Sequence, residues 1–457
     1  MSRNAITDRY LEAAERSGFG AGELLVAARA GVNLDATTYF GRCLGRPAFL
    51  SDAEQAELVG DLNHLHSAMA ALPDRLFGGD LAAFARAAGM TEPQVTAIMR
   101  SHSKVPTRLA RADLYHDGTA FRLMELNLGS TVGGMDHGLV NRAALALPFM
   151  AAFVETNRLS YVDTLAELAT LLAAEAGAAP ASAPASAPGE RTLVVVVDMP
   201  DKIHLYESLL RNSADELATH GIDFLPVRLE ELRIGDGGVW LDRRRVDLIF
   251  RLFLIEEFLR PEAPELLDPL MRAVERGDVA MFSPLDSELY GSKAALAMLS
   301  DERNRHLLDP AERVGLDRLL PWTRIVRAGE VTVDGELVDL YEYAEAARED
   351  LVLKPAMMHG GAGVALGWQL DADEWRDRLR AAGDDAYVLQ QRLRAAPELF
   401  PTADGLREMI LIWGAFTLGN GAFGGALVRG TTDLSGAVLN GAGGATLSCC
   451  FHELAPA

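Results

Sequence analysis

Cysteine is almost missing from this chain. Cys43 and the adjacent pair Cys449 and Cys450 are the only three in 457 residues, too few for a disulfide framework and without the spacing of a zinc site. Long apolar runs are missing too. No segment approaches the ~20 residues that cross a bilayer, and the opening MSRNAITDRYLEAAERSGFG lacks the apolar stretch of a secretory signal, so a cytoplasmic chain is expected. Cations are scarce: 43 Lys and Arg face 65 Asp and Glu, a formal net charge of −22. That balance argues against nucleic acid or an anionic membrane as partner, because both are bound through clustered cations. There is no Walker GK[ST] loop, no GxGxxG following a strand and no internal repeat. His137, His204, His306 and His359 show no metal-ligand spacing, and no Ser-His-Asp or Cys-His arrangement can be argued.

What is present is a globular composition, half apolar and a quarter charged, at a length that suits two to four packed domains. Residues 1–104 carry Ala- and Leu-rich segments with helical character, such as AELVGDLNHLHSAMAAL. Residues 105–150 turn to short strand-like pieces around a Gly-rich loop. Residues 151–192 hold a helical pattern and then AGAAPASAPASAPGE, whose composition cannot build a core and predicts an exposed linker. Within 193–285, TLVVVVDMP reads as a strand buried on both faces, and IDFLPVRL and VDLIFRLFL supply more strands between helices, which predicts a small α/β domain. Arg251, a charge inside the last of these runs, requires a buried partner or an anionic ligand. Residues 286–457 mix helices with a β-rich tail. The expected class is α/β of mixed α+β type.

The sharpest local feature is LVLKPAMMHGGAGVALGW, residues 351–368. A strand presents Lys354, and a loop with Gly360, Gly361 and Gly363 follows; glycines let backbone amides wrap phosphates that a neighbouring lysine neutralises. Upstream, Lys293 opens a helix in SPLDSELYGSKAALAMLSDE. Downstream, YVLQQRL, with Gln390 and Gln391, is a strand of the type whose backbone edge can pair with adenine. Arg429, in GGALVRGTTD, either touches a phosphate or serves the structure.

A second constellation lies in RLARADLYHDGTAFRLMELNLGSTVGG, residues 108–134. Arg111 and Asp113 are two apart on one strand-like stretch, Glu125 and Asn127 two apart on the next, so each pair projects to one face. A three-residue loop of His116, Asp117 and Gly118 would pair 115 with 119 and 113 with 121 and bring all four to a shared face. Two carboxylates and an amide suit Mg²⁺, which takes its remaining ligands from phosphate and water, and an arginine beside them can neutralise a transferred phosphoryl group. Ser130 and Thr131 follow in a loop that could line an acceptor pocket.

The segments SKAALAMLSDE, PWTR, VLKPAMMHGGAGVALGW, YVLQQRL, GAFGGALVRG and NGAGG, together with R-x-D and E-x-N twelve residues on, resemble the circularly permuted type-2 ATP-grasp ligases, related to the synthetase domain of glutathionylspermidine synthase. The resemblance implies that Lys293 and Lys354 hold the nucleotide, that Gly360 to Gly363 form a lid, that Asp113, Glu125 and Asn127 bind the metal and that Arg111 is catalytic. Gln391 stands where the family commonly has Glu. The last ninety residues hold no E-x-N or D-x-N, so a permuted order is needed to supply metal ligands, with residues 193–285 as a pre-ATP-grasp-like domain. The implied activity joins a small-molecule carboxylate to an amine through an acylphosphate, with ATP and Mg²⁺ as cofactors and ADP and phosphate released. An ATP-grasp phosphotransferase and a catalytically silent nucleotide-binding scaffold are the alternatives.

Overall fold

The computed structural model describes residues 4–32, 42–102, 109–177, 190–358, 360–383, 385–419, 421–435 and 445–455. The Ala/Pro/Ser stretch at 178–189, the NGAGG segment at 440–444 and His359 lie outside the described residues.

Two antiparallel sheets and one parallel sheet position the site. The large antiparallel sheet runs in the order Thr446–Ser448, Ala422–Thr431, Gly405–Leu418, Ala110–His116 and Phe121–Leu128, with Glu398–Thr402 also pairing with Gly405–Leu418. Strands from the first third of the chain are thus completed by strands from its end. A smaller antiparallel sheet is ordered Thr323–Ile325, Tyr387–Gln391, Leu351–Pro355, Ala365–Leu366. Alternation gives it two unlike faces. Leu351, Leu353 and Leu389 pack on Trp375 and Leu379 of the helix Ala372–Ala382, while Lys354 and Gln390 lie on the other side.

The parallel sheet is ordered Ala280–Phe282, Leu248–Arg251, Thr192–Val197, Ile222–Val227. One of its two inner strands, Thr192–Val197, is covered on both faces: Val194, Val195, Val196 and Val197 are each 0% exposed, which is why a run of β-branched residues without alternation is stable there.

The described part of the N-terminal hundred residues is mainly helical, with helices at Ala5–Ser17, Glu23–Gly31, Asp52–Ala70, Leu72–Phe77, Leu81–Ala87 and Glu92–Arg100. Ala48–Leu50 departs from that reading. It is a strand paired in parallel with Cys450–Glu453, a partner four hundred positions away that local periodicity cannot reveal. Among the described residues no single helix is long and apolar enough to cross a membrane.

Candidate active site

The front half of the site is the hairpin Ala110–His116 and Phe121–Leu128, and its register differs from the expected one. The loop is longer, with His116 opposite Phe121, because the Asp117 carboxylate accepts from the backbone N–H groups of Thr119 at 2.8 Å and Ala120 at 2.9 Å and so builds a wider turn. A bulge then corrects the phase: Leu114 faces Leu123 but Asp113 faces Glu125, leaving Met124 as the extra residue. Arg111 faces Asn127 in the same ladder. All four polar residues therefore share a face, as direct cross-strand pairs instead of through a three-residue loop.

Asp113 is 4% exposed. Arg111 grips it with two bonds, Nε to Oδ1 at 2.8 Å and Nη2 to Oδ2 at 3.0 Å, while Arg429 Nη2 approaches Oδ1 at 2.9 Å. Burial works to raise the Asp113 carboxyl, but the two guanidinium groups outweigh it and hold it below the usual range. The Arg429 contact is close but off the hydrogen-bonding angle, so its Nε and Nη2 have no hydrogen-bond partner among the described residues. Arg111 also donates from Nη1 to the Gly133 carbonyl at 2.7 Å. Gly414 makes room for this pair: a Cβ there would stand 2.8 Å from Arg111 Cδ. Sequence reasoning missed Gly414; its only signal was a glycine inside the apolar run ILIWGAF.

The back half brings the lysines. Ser292 caps the helix Lys293–Ser300, its hydroxyl accepting from Ala295 N–H at 3.1 Å. Lys293 Nζ donates to the Met358 carbonyl at 2.8 Å and stands 3.6 Å from the Glu125 carboxylate. Lys354 Nζ donates to Gln390 Oε1 at 2.6 Å and to the Met124 carbonyl at 3.2 Å. That carbonyl belongs to the bulged residue, so the irregularity that sets the front register also offers an acceptor to the back segment. Burial pushes the Lys354 ammonium down to about 8; Lys293 adds to the shift and Glu125 opposes it. Gly360, Gly361 and Gly363 all have positive φ, 66°, 81° and 71°, which accounts for glycine at each.

Two sequence expectations are corrected here. Gln391 faces away from the lysines: it pairs with Leu351, whose side chain lies in the core behind the smaller sheet, whereas Gln390 pairs with Val352 on the Lys354 side. Nor is Tyr387–Gln391 a free edge, because Thr323–Ile325 and Leu351–Pro355 flank it on both sides and Gln391 N–H is spent on the Trp322 carbonyl at 2.8 Å.

The secondary candidates separate from the cluster. Arg251 is 0% exposed and has a protein partner, Glu288, with further donation to the Ser283 carbonyl at 2.8 Å and Ser287 Oγ at 3.0 Å. Ser130 is buried and donates to the Arg251 carbonyl, which ties the loop after Phe121–Leu128 to the parallel sheet. Thr131 is half-buried beside it. His137 stacks on Phe416 with ring centroids 5.4 Å apart, and burial holds it down to about 4. His204 and His306 join none of these contacts; His306 Nδ1 lies 2.9 Å from the Arg303 carbonyl.

Glu125 accepts no hydrogen bond among the described residues, and Asn127 Nδ2 lies 3.5 Å from Asp113 Oδ2. Among the described residues no group of three or more His, Cys, Asp and Glu is placed to hold a metal unaided. One carboxylate and one amide oxygen beside two lysines fit a hard cation that takes most of its ligands from phosphate and water. A cleft of about 610 Å³ between Phe77, Met298 and Arg327 is lined by none of the cluster's charged groups.

No family model matches the chain, and no curated protein matches it. Among solved structures, a glutathione synthetase-like effector from Globodera pallida aligns with a TM-score of 0.54 at 11% identity, over 94% of this chain and 96% of its own. The chain shares a glutathione synthetase-like fold. A protein described as a gamma-glutamylcysteine synthetase from Methylobacillus flagellatus aligns with a TM-score of 0.42 at 12% identity, over 86% of this chain and 88% of that one. D-alanyl-alanine synthetase A from Vibrio cholerae follows at 0.23 and 12% identity, over 51% of this chain and 69% of its own.

Proposed function

We propose that this chain is an ADP-forming carboxylate–amine ligase of the permuted ATP-grasp type, which activates a small-molecule acid with Mg-ATP and passes the acyl group to an amine. The observation that carries the reading is the Lys354 ammonium on the carbonyl of Met124, next to Glu125, with Lys293 on the other side of that carboxylate at 3.6 Å. Two cationic groups from the back of the chain thereby converge on the acidic strand from its front. The pairing of Ala110–His116 with Gly405–Leu418 in one sheet supports the permuted order, and the synthetase-like fold agrees with it.

In this reading Lys293 and Lys354 neutralise the phosphates, and the glycines at 360, 361 and 363 bring backbone amides over them. Glu125 and Asn127 would hold Mg²⁺, which when bound would supply charge neutralisation for the phosphates. Asp113 joins them as a ligand only by giving up one of its arginines; otherwise it serves as the anion that aligns Arg111 and Arg429. In the same reading those two guanidinium groups spread the charge of the transferred phosphoryl group and of the tetrahedral adduct formed by the amine. Lid closure would keep water from the acylphosphate.

The test is calorimetric binding of Mg-ATP to the wild type, Glu125→Ala and Lys354→Ala, followed by a screen of acids and amines for ADP release with mass detection of the conjugate. Both variants should lose turnover while remaining folded, as a retained cooperative urea transition would show. Turnover at the wild-type rate in both would refute the site. ADP release that needs no amine would convert the reading to a phosphotransferase, and failure of the wild type to bind Mg-ATP would leave a silent scaffold.

A further inference from the structure

Lys354 Nζ is held by two acceptors, Gln390 Oε1 at 2.6 Å and the Met124 carbonyl at 3.2 Å, and both are neutral. Only the first belongs to its own sheet. There Gln390 pairs with Val352 on one side and with Thr323 on the other. Directly paired residues project to one face, so Thr323, Gln390 and Lys354 share it. Gln390 is 5% exposed and Thr323 2%, which takes water away as a substitute partner for either.

Each bond in this row has a fixed direction. An ammonium can only donate, so the Gln390 amide must turn its oxygen to Lys354 and its nitrogen away. That nitrogen, Nε2, donates to Thr323 Oγ1 at 3.3 Å. The hydroxyl commits its own proton to the Pro321 carbonyl at 3.0 Å and so presents a lone pair to the amide. The Thr323 backbone is anchored in turn: its N–H donates to Ser300 Oγ at 3.0 Å, and that hydroxyl donates to the Pro321 carbonyl at 3.2 Å. Ser300 ends the helix that Lys293 opens, and Lys293 N–H donates to the Ala356 carbonyl, two residues beyond Lys354, at 3.0 Å. The spacing of the two lysines is therefore closed from both ends of that helix.

Resting on the nucleotide reading above, we infer that Gln390 and Thr323 are positioning residues, which hold the Lys354 ammonium for the phosphates without cancelling its charge. A carboxylate at 390 could accept the same bond, but it would neutralise the cation that a phosphate needs. The amide accepts the bond and leaves the charge free. Thr323 touches no ligand in this assignment. It acts through Gln390, by fixing which end of the amide faces the lysine.

The experiment titrates the full chain by calorimetry with Mg-ATP and with Mg-tripolyphosphate, while urea melts check that each variant is folded. Gln390→Leu should weaken both ligands about tenfold, the scale of one hydrogen bond to a charged group. Gln390→Glu should weaken them at least as much, although it keeps an acceptor for the ammonium. Thr323→Val, which keeps the shape and removes the hydroxyl, should cost about threefold to tenfold on the same scale, and Thr323→Ser should restore wild-type affinity. In a Gln390→Leu background the Thr323→Val change should add less than about twofold, because the relay is already broken. A Gln390→Glu chain that binds both ligands like the wild type overturns the inference, as does a Thr323→Val cost that is equal with and without Gln390, since that pattern marks a structural role. A wild type that binds neither ligand overturns the nucleotide reading first, and this assignment with it.

Discussion

Gly414→Ala tests whether the Arg111–Asp113 pair is built into the sheet or merely rests on it. The added Cβ would stand 2.8 Å from Arg111 Cδ, 3.1 Å from the Leu427 carbonyl and 3.2 Å from Asp113 Oδ1. Leu427 is paired to Gly414 in the ladder and cannot retreat; the arginine stem is the group that must move, and with it the two bonds of 2.8 and 3.0 Å to the carboxylate. Overpacking of this kind costs about 1–3 kcal/mol, so urea unfolding should show a loss near ~2 kcal/mol with an unchanged m-value. Gly60→Ala is the control. It lies in the helix Asp52–Ala70 with nothing within 4 Å of its Cβ, and should gain up to ~1 kcal/mol. The decisive arm is a double-mutant cycle. In an Arg111→Ala background the closest obstacle is gone, and Gly414→Ala should cost under ~1 kcal/mol, a coupling of roughly 1–2 kcal/mol. Equal costs in both backgrounds would refute the argument.

Asp113→Asn removes the anion shared by two arginines and leaves Arg429, only 6% exposed, without an ion-pair partner among the described residues; denaturation should show a loss of about 3–5 kcal/mol. Lys354 titrates at about 8 when folded, with Lys293 and Glu125 as its charged neighbours, below the ~10.4 of an unfolded lysine. The unfolded chain therefore binds more protons between those values, and unfolding free energy should rise as pH increases through that window. Lys354→Met should flatten the rise in urea melts at a series of pH values. His137 is held down to about 4, below the ~6.5 of the free side chain. Stability should fall as pH drops from ~6.5 to about 4, and His137→Gln should remove that part of the acid limb.

How far the sequence discloses the site depends on which interaction decides each residue's place. Arg111 and Asp113, like Glu125 and Asn127, could be assigned to shared faces because a strand alternates with period two whatever its partner does. Their meeting across the hairpin could not be derived that way. It rests on the Asp117 turn and on a bulge at Met124, and a bulge is chosen by what both strands touch, not by the residues inside it. Gln391 shows the same division. Its adjacency to Gln390 is plain in the sequence, but only the pairing of Tyr387–Gln391 with Leu351–Pro355 decides which of the two shares a face with Lys354. Ala48–Leu50 is a strand only because Cys450–Glu453 lies beside it. The valine run at 194–197 was legible because burial on both faces leaves its mark in every residue. Gly414 lies between these cases. A glycine inside an apolar strand announces a close approach, but what approaches is Arg111, from a strand three hundred positions earlier. Local rules therefore identified the chemical groups, and long-range pairing brought them together.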